Sequence, residues 1–198
     1  MNFKRKHIVI GGLWLVALLA VGGYVWARLA TPAYQNVLVD MIGPGDYKLT
    51  TTDGAPFTED TLKGTPSAVF FGFTHCPEVC PTSLGDIATW QEELGEDNHL
   101  RVFFVTVDPE RDTVDQLRDY VSWVPDTVGV SGSPEEIAKA IKAFKIYARK
   151  VSLEDGDYTM DHSANVLLFD ADGRFFEPVG YQEAYDRALA KIRRMQRG

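Results

Sequence analysis

Most of this chain alternates between two patterns of hydrophobic and polar positions. Short, unbroken apolar runs are typical of strands that are buried on both faces of a sheet. Longer stretches with apolar residues three and four positions apart predict amphipathic helices. The apolar runs lie at Ser67–Phe73, Leu100–Val107 and Asn165–Phe169. The helical pattern lies at 81–95, 110–124, 133–144 and Gln182–Met195.

Shorter strands are predicted on either side of turn-forming residues such as Asp-Gly, which favour β-hairpins. The predicted pairs are Tyr47–Thr51 with Ala55–Phe57, Ile146–Val151 with Tyr158–Met160, and Asn165–Phe169 with Arg174–Glu177. A further short strand is predicted at Thr127–Val130. Strand–helix–strand–helix, followed by antiparallel strands and a last helix, predicts an α/β sandwich.

Two of the helices carry local start signals. Thr113 with Gln116 fits a capping box, and Ser133 directly before a proline fits an N-cap. Asp108 also precedes a proline, which ends the strand before it because proline cannot donate to a strand ladder. We expect Asp112, together with Thr113, to open the helix that follows.

A different pattern opens the chain. Ile8–Ala27 is a run of 20 residues without a charge. At a rise of about 1.5 Å per residue it would span roughly 30 Å as a helix, the thickness of the hydrocarbon core of a bilayer. Lys4, Arg5 and Lys6 precede it, and the positive-inside rule keeps such an end in the cytoplasm.

These features predict the organisation of the chain: a cytoplasmic end at 1–7, a single-pass transmembrane anchor at 8–27, a linker at 28–44 and a folded domain at 45–198. A cleaved signal peptide is the alternative, but the apolar run is long for one. Because no Arg- and Ser-rich transit peptide precedes the run, a bacterial inner membrane fits better than a mitochondrial one. The domain would then face the periplasm.

The charge of the chain excludes one class of partner. The net charge is −8, and the part beyond the anchor holds 17 basic and 28 acidic residues, a net of −11. Nucleic-acid binding needs a basic surface. We therefore expect no nucleic-acid partner.

The two cysteines of the chain, Cys76 and Cys80, lie four positions apart, directly after an apolar run. Pro81 suits the first turn of a helix, which places Cys80 at or next to its N-cap. A thiol there has a lowered pKa, since the positive end of the helix favours the thiolate. A structural disulfide is the alternative in an oxidising compartment, although a core of this size does not need one. A cysteine pair at the start of the first long helix is the thioredoxin arrangement.

His162 lies just ahead of the last apolar run. A lone histidine can be an ordinary hydrogen-bonded loop residue. In a thioredoxin-like sheet, however, its loop can lie beside the cysteine loop, and two thiolates with one imidazole form a soft three-ligand site. Such a site suits copper(I) and also holds copper(II). A structural zinc site would require a fourth protein ligand, and the only candidate is His75, which adjoins Cys76.

Three segments make the sequence resemble the SCO/SenC family of membrane-anchored copper proteins that serve cytochrome c oxidase assembly. They are FGFTHCPEVCPTSL at 71–84, VTVDPERDT at 105–113 and YTMDHSANVLLFDADGRF at 158–175. The resemblance implies a thioredoxin-like fold with an added hairpin. It also implies one copper ion, held by Cys76, Cys80 and His162.

The function implied is that of a metallochaperone rather than an enzyme. It would deliver copper to the copper-A site of cytochrome c oxidase subunit II or to another copper protein, with a second periplasmic copper donor as a further partner. The alternative is a thiol–disulfide reductase in which Cys76 and Cys80 are redox-active and keep the copper-A cysteines reduced. A peroxidase is disfavoured, because peroxiredoxins have Thr where this chain has Phe73. For Asp108 we consider two roles. One is structural, and the other is to support the copper ligands or to take part in docking.

Overall fold

The computed structural model describes residues 14, 16–26, 41–98, 100–154 and 156–197. The chain forms two units, Met1–Leu38 and Val39–Gly198. In the first unit, residues 16–26 are helical. Within the described ranges, no helix combines the length and the hydropathy needed to cross a membrane. Parts of the predicted anchor and linker, namely 8–13, 15 and 27–40, lie outside the described residues.

The second unit contains the strands and helices that the sequence pattern predicts. The strands are β1 (Leu49–Thr51), β2 (Pro56–Phe57), β3 (Ser67–Gly72), β4 (Arg101–Thr106), β5 (Thr127–Ser131), β6 (Ala148–Ser152), β7 (Tyr158–His162), β8 (Val166–Phe169) and β9 (Phe175–Val179). The helices are α1 (Val79–Leu94), α2 (Val114–Val121), α3 (Pro134–Ala143) and α4 (Tyr185–Met195). Short 3₁₀ turns lie at Glu59–Leu62 and Glu96–Asn98.

A seven-stranded sheet forms the body of the domain, in the order β2-β1-β5-β4-β3-β8-β9. The β3–β4 and β4–β5 pairs are parallel, while β8 runs antiparallel to β3. Every residue of β3 is buried, as its continuous apolar run predicts for a central strand. The cysteine loop therefore leaves the sheet from one of its most buried strands.

The hairpin of β6 and β7 forms a separate two-stranded sheet. Its register runs from Ala148 opposite His162 to Ser152 opposite Tyr158. Together with the mixed sheet and its helices, this added hairpin confirms the α/β thioredoxin-like fold predicted from the sequence. The hairpin places His162 at the end of β7, next to the turn into β8.

Local start signals hold for two helices, whereas α1 begins earlier than predicted. Thr113 caps α2 through a capping box, and Ser133 caps α3. Helix α1 begins at Val79, with Glu78 as its N-cap, two positions before Pro81. Pro81 is tolerated there because the first four backbone N–H groups of a helix have no partner inside the helix.

Candidate metal centre

The cysteine loop joins the end of β3 to the start of α1. Cys80 lies in the first turn of α1 and is fully buried, while Cys76 lies in the loop and is partly exposed. The backbone N–H of Cys80 donates to the Cys76 sulfur over 3.3 Å. Both cysteines are free thiols. The buried sulfur therefore lies behind the sulfur that solvent or a partner can reach.

His162 completes the cluster from the other half of the domain. Its Nε2 lies 3.5 Å from the Cys80 sulfur, and the donor atoms of Cys76, Cys80 and His162 all lie within 4.8 Å of one another. The Nδ1 of His162 lies 2.9 Å from the carbonyl oxygen of Ser163. A carbonyl only accepts, so Nδ1 donates to it, and Nε2 is the ring nitrogen that faces the Cys80 sulfur. The three side chains thus form a soft donor set of the kind predicted for copper.

The two thiols differ in acidity. The Cys80 thiol donates a hydrogen bond to Cys76 and lowers the pKa of Cys76 to about 4, although burial works against the thiolate. The pKa of Cys80 is raised, because its proton is shared with Cys76 and its sulfur is buried. The prediction of a lowered pKa at Cys80 was wrong. Burial beside a thiolate raises the pKa of Cys80 more than the positive end of α1 lowers it. Cys76 is therefore the cysteine that forms the thiolate.

Alkylation of the copper-free dithiol protein tests this assignment. The thiolate, not the thiol, attacks iodoacetamide and displaces iodide, so we expect Cys76 to react at a rate that is flat from about pH 8 to pH 6 and falls as the pH drops toward about 4. The rate falls toward low pH because the pKa of Cys76 is lowered, so its sulfur is protonated only well below neutral pH. Mass spectrometry after timed quenching gives the rate. If the alkylation rate of Cys76 in the folded chain depends on pH in the same way as in the denatured chain, the assignment of Cys76 as the thiolate is contradicted.

Gly72 allows the Cys80 sulfur to lie close to the sheet. A Cβ at this position would lie 2.8 Å from the Cys80 sulfur and 2.7 Å from the Phe104 ring. Neither neighbour is the free end of a flexible chain, so the packing would have to shift.

We expect Gly72→Ala to lower the free energy of unfolding by about 1–3 kcal/mol through overpacking, and to displace Cys80 from His162. Urea titration measures the first effect. Gly85→Ala, in the middle of α1, is the matched control, because nothing lies within 4 Å of its added Cβ. Alanine in place of a helical glycine should stabilise by about 0.5–1 kcal/mol. Equal effects of both substitutions would show that the Cys80 contact is unimportant.

The buried side chain of Asp112 fixes the start of the cysteine loop through hydrogen bonds. Its buried carboxylate accepts hydrogen bonds from the backbone N–H of Thr74 at 3.1 Å and from the hydroxyls of Thr74 and Thr106, each at 2.6 Å. His75 faces this carboxylate at 3.7 Å and is not part of the donor cluster. The prediction that Asp112 helps to open α2 missed this role. Thr74 lies 38 positions earlier, and no local pattern links the two.

Asp108, in the loop after β4, is also buried. Its buried carboxylate accepts hydrogen bonds from Arg111 Nε at 2.6 Å and from the Tyr158 hydroxyl at 2.9 Å. Tyr158 begins the strand that ends at His162. The carboxylate thus connects the loop after β4 to the hairpin that carries the imidazole.

The fold and the site together define a class: a thioredoxin-like domain with a C-x-x-x-C pair at its first helix and a histidine supplied by an added hairpin. The family model SCO1/SenC matches residues 40–197. The chain belongs to the SCO1/SenC family.

Relatives from several organisms support this family assignment. Protein SCO2, mitochondrial, of Saccharomyces cerevisiae is 34% identical over 198 residues, which cover 90% of this chain but only 64% of the yeast protein. The SCO2-like protein of Rickettsia felis is 34% identical over 88% of this chain and 91% of its own length. The structure of Bradyrhizobium japonicum ScoI with copper bound is 44% identical, with a TM-score of 0.70 over 78% of this chain and 99% of that one.

Proposed function

We propose that this chain binds one copper ion through Cys76, Cys80 and His162 and delivers it to the copper-A site of cytochrome c oxidase subunit II or to another copper protein. The observation that carries the proposal is the convergence of two sulfurs and one imidazole nitrogen within 4.8 Å. The copper-bound relative from Bradyrhizobium japonicum supports copper as the metal.

The donor set suits a metal that must be given away. Thiolate sulfur is soft and favours copper(I), while imidazole with thiolate also holds copper(II). Three protein donors leave room for a donor from the acceptor, so that ligands can be exchanged one at a time. A cavity of about 280 Å³ opens beside Cys76 and His162 and is lined in part by Phe73 and Met160. An acceptor would approach through this cavity and meet Cys76 before the buried Cys80.

A second candidate function is reduction of the acceptor's own cysteines. The partly exposed thiolate of Cys76 can attack an acceptor disulfide, forming a mixed disulfide and releasing one acceptor thiolate. Cys80 then attacks the Cys76 sulfur, which frees the second acceptor thiolate and leaves a Cys76–Cys80 disulfide. The acidic Cys76 with the buried Cys80 behind it favours this order of attack. His162 matters much less for these steps, since its ring forms no bond to sulfur and its hydrogen bond makes only a smaller contribution to the lowered pKa of Cys76.

The setting of these reactions is also part of the proposal. The uncharged run at 8–27 would anchor the chain in a bacterial inner membrane, with residues 1–7 in the cytoplasm and the 45–198 domain in the periplasm. A single-pass anchor of this kind would keep the copper site near membrane-bound acceptors. Another periplasmic copper protein would supply the ion.

Transfer between purified proteins tests the proposal. The full chain, loaded with copper(I), is mixed with the metal-free copper-A domain of an oxidase subunit II, and copper-A absorption is followed. We expect metallation of the acceptor with the native chain and none with Cys76→Ser. With an oxidised acceptor, His162→Ala should still reduce the disulfide yet deliver no copper. Copper that stays wholly on the native chain contradicts delivery.

A further inference from the structure

The hairpin that carries His162 needs an anchor beyond its own hydrogen bonds. Strands β6 and β7 pair with each other, and in the described part of the domain neither joins the seven-stranded sheet. A two-stranded hairpin alone is marginally stable in water. At the His162 end, Ser163 and Tyr147 bond to each other across the hairpin. Those bonds lie within the hairpin and its flanks, so they do not fix its position relative to the cysteines.

The far end of the hairpin is held by Tyr158. Its ring lies between two cations, with the Arg111 guanidinium carbon 3.7 Å and the Lys150 Nζ 4.0 Å from the ring centroid. Its hydroxyl donates to Asp108 over 2.9 Å, and its backbone carbonyl accepts from Arg111 Nη1 over 2.9 Å. Both the side chain and the main chain of Tyr158 are therefore tied to the loop after β4. Cation–π contacts of this kind are strongest where water is excluded.

Arg111 is itself fixed by a buried partner. Its Nε donates to Asp108 over 2.6 Å, and the side chains of Arg111 and Asp108 are 18% and 1% exposed. A charge-assisted hydrogen bond to a buried carboxylate is strong and strict in geometry. Glu110 adds a 2.8 Å ion pair to Lys150 at the surface. The loop and the first residue of β7 thus form one connected polar unit.

The same loop holds the other half of the metal centre. Four residues after Asp108, Asp112 binds the backbone and the hydroxyl of Thr74, two positions before Cys76. The segment 108–112 therefore touches both the loop of the cysteines and the strand of the histidine. It is one place at which these two distant parts of the chain are held relative to each other, and the edge-on contacts of the His162 ring with Phe70 and Phe73 are another.

We propose that Arg111 and Tyr158 are positioning residues for His162, holding the hairpin on segment 108–112 so that the imidazole stays within reach of Cys76 and Cys80. This inference rests on the proposed copper site. It assigns to the hairpin anchor a role in metal affinity, in addition to its part in the fold. Groups that orient metal ligands are usually required for full affinity.

The test compares variants of the full chain that weaken the anchor by different amounts. Tyr158→Leu removes both the ring and the hydroxyl, Tyr158→Phe removes only the hydroxyl, and Arg111→Gln removes the charge. Arg149→Gln is the matched control, because Arg149 lies on the same hairpin and pairs with exposed Asp161. Copper(II) affinity by chelator competition should fall by about 10–100-fold for Tyr158→Leu and Arg111→Gln. It should fall less for Tyr158→Phe and stay unchanged for the control.

A second measurement needs no metal. In the copper-free chain, NMR signals of the His162 ring should shift or broaden in Tyr158→Leu and remain native in Arg149→Gln. Native ring signals and native affinity in all folded variants would overturn the proposal, even if their melting temperatures were lower. A native chain that binds no copper would defeat the proposed function alone, because altered ring signals would still establish the positioning role.

Discussion

The His162→Ala chain is expected to bind copper(II) more than about 100-fold more weakly than the native chain, while its cysteines still cycle between dithiol and disulfide. Loss of a group that merely orients a ligand lowers metal affinity by about 10–100-fold, so loss of the imidazole ligand should do more. The thiol chemistry survives because the hydrogen bond from Cys80 contributes most to the lowered pKa of Cys76, and the hydrogen bond from His162 contributes less. Chelator competition measures the affinity, and titration with a glutathione redox buffer measures the cysteine couple.

His75→Ala is the control for that experiment. His75 adjoins Cys76 in the sequence, yet its ring is turned toward Asp112 and lies outside the donor cluster. Its removal should leave copper affinity within about twofold, since substitutions away from a ligand set have small effects. Equal losses in both variants, or full affinity without His162, would contradict a site built on residue 162. Loss of thiol cycling in His162→Ala would contradict the separation of the two chemistries.

Asp112→Ala should be the most destabilising of the substitutions considered, with a loss of roughly 3–5 kcal/mol in the free energy of unfolding. The buried carboxylate accepts from one backbone N–H and two hydroxyls. Its removal leaves the Thr74 N–H and the Thr106 hydroxyl without an acceptor in a place where little water can replace it. Urea denaturation followed by circular dichroism gives the loss directly. Copper affinity should fall as well, because Thr74 no longer fixes the start of the cysteine loop.

Asp115→Ala provides the comparison for Asp112. Asp115 lies in the first turn of α2, is 86% exposed and pairs with Arg118 at the surface. Surface ion pairs contribute about 0–1 kcal/mol, so this variant should unfold near the native midpoint. A loss at Asp112 no larger than the loss at Asp115 would show that the hydrogen bonds behind the cysteine loop do not stabilise the domain.

Features of the fold that depend on near neighbours could be predicted from the sequence. The apolar run at Ser67–Phe73 becomes the central strand β3, and Thr113 and Ser133 cap the helices that follow them. The hairpin of β6 and β7 follows from two short strands around a turn. Each of these signals lies within a few residues of the structure it specifies, so backbone preference and burial pattern suffice.

Features that depend on distant residues could not be predicted in the same way. Asp112 binds Thr74, 38 positions away, and Arg111 binds the carbonyl of Tyr158, 47 positions away. The lowered pKa of Cys76 follows mainly from the hydrogen bond that the buried Cys80 donates to it, which a spacing of four does not reveal. The sequence did indicate that His162 could approach the cysteines, and the structure brings the three side chains together. The anchor at 8–27 stays a prediction.

X-ray absorption at the copper edge tests the central claim most directly, because it identifies the atoms bound to the metal. For the full chain loaded with one equivalent of copper(I), the proposed site predicts two sulfur neighbours and one imidazole nitrogen. The nitrogen should disappear in His162→Ala and one sulfur should disappear in Cys76→Ser. A copper shell of nitrogen and oxygen without sulfur, or one that is the same in native and His162→Ala chains, would contradict it.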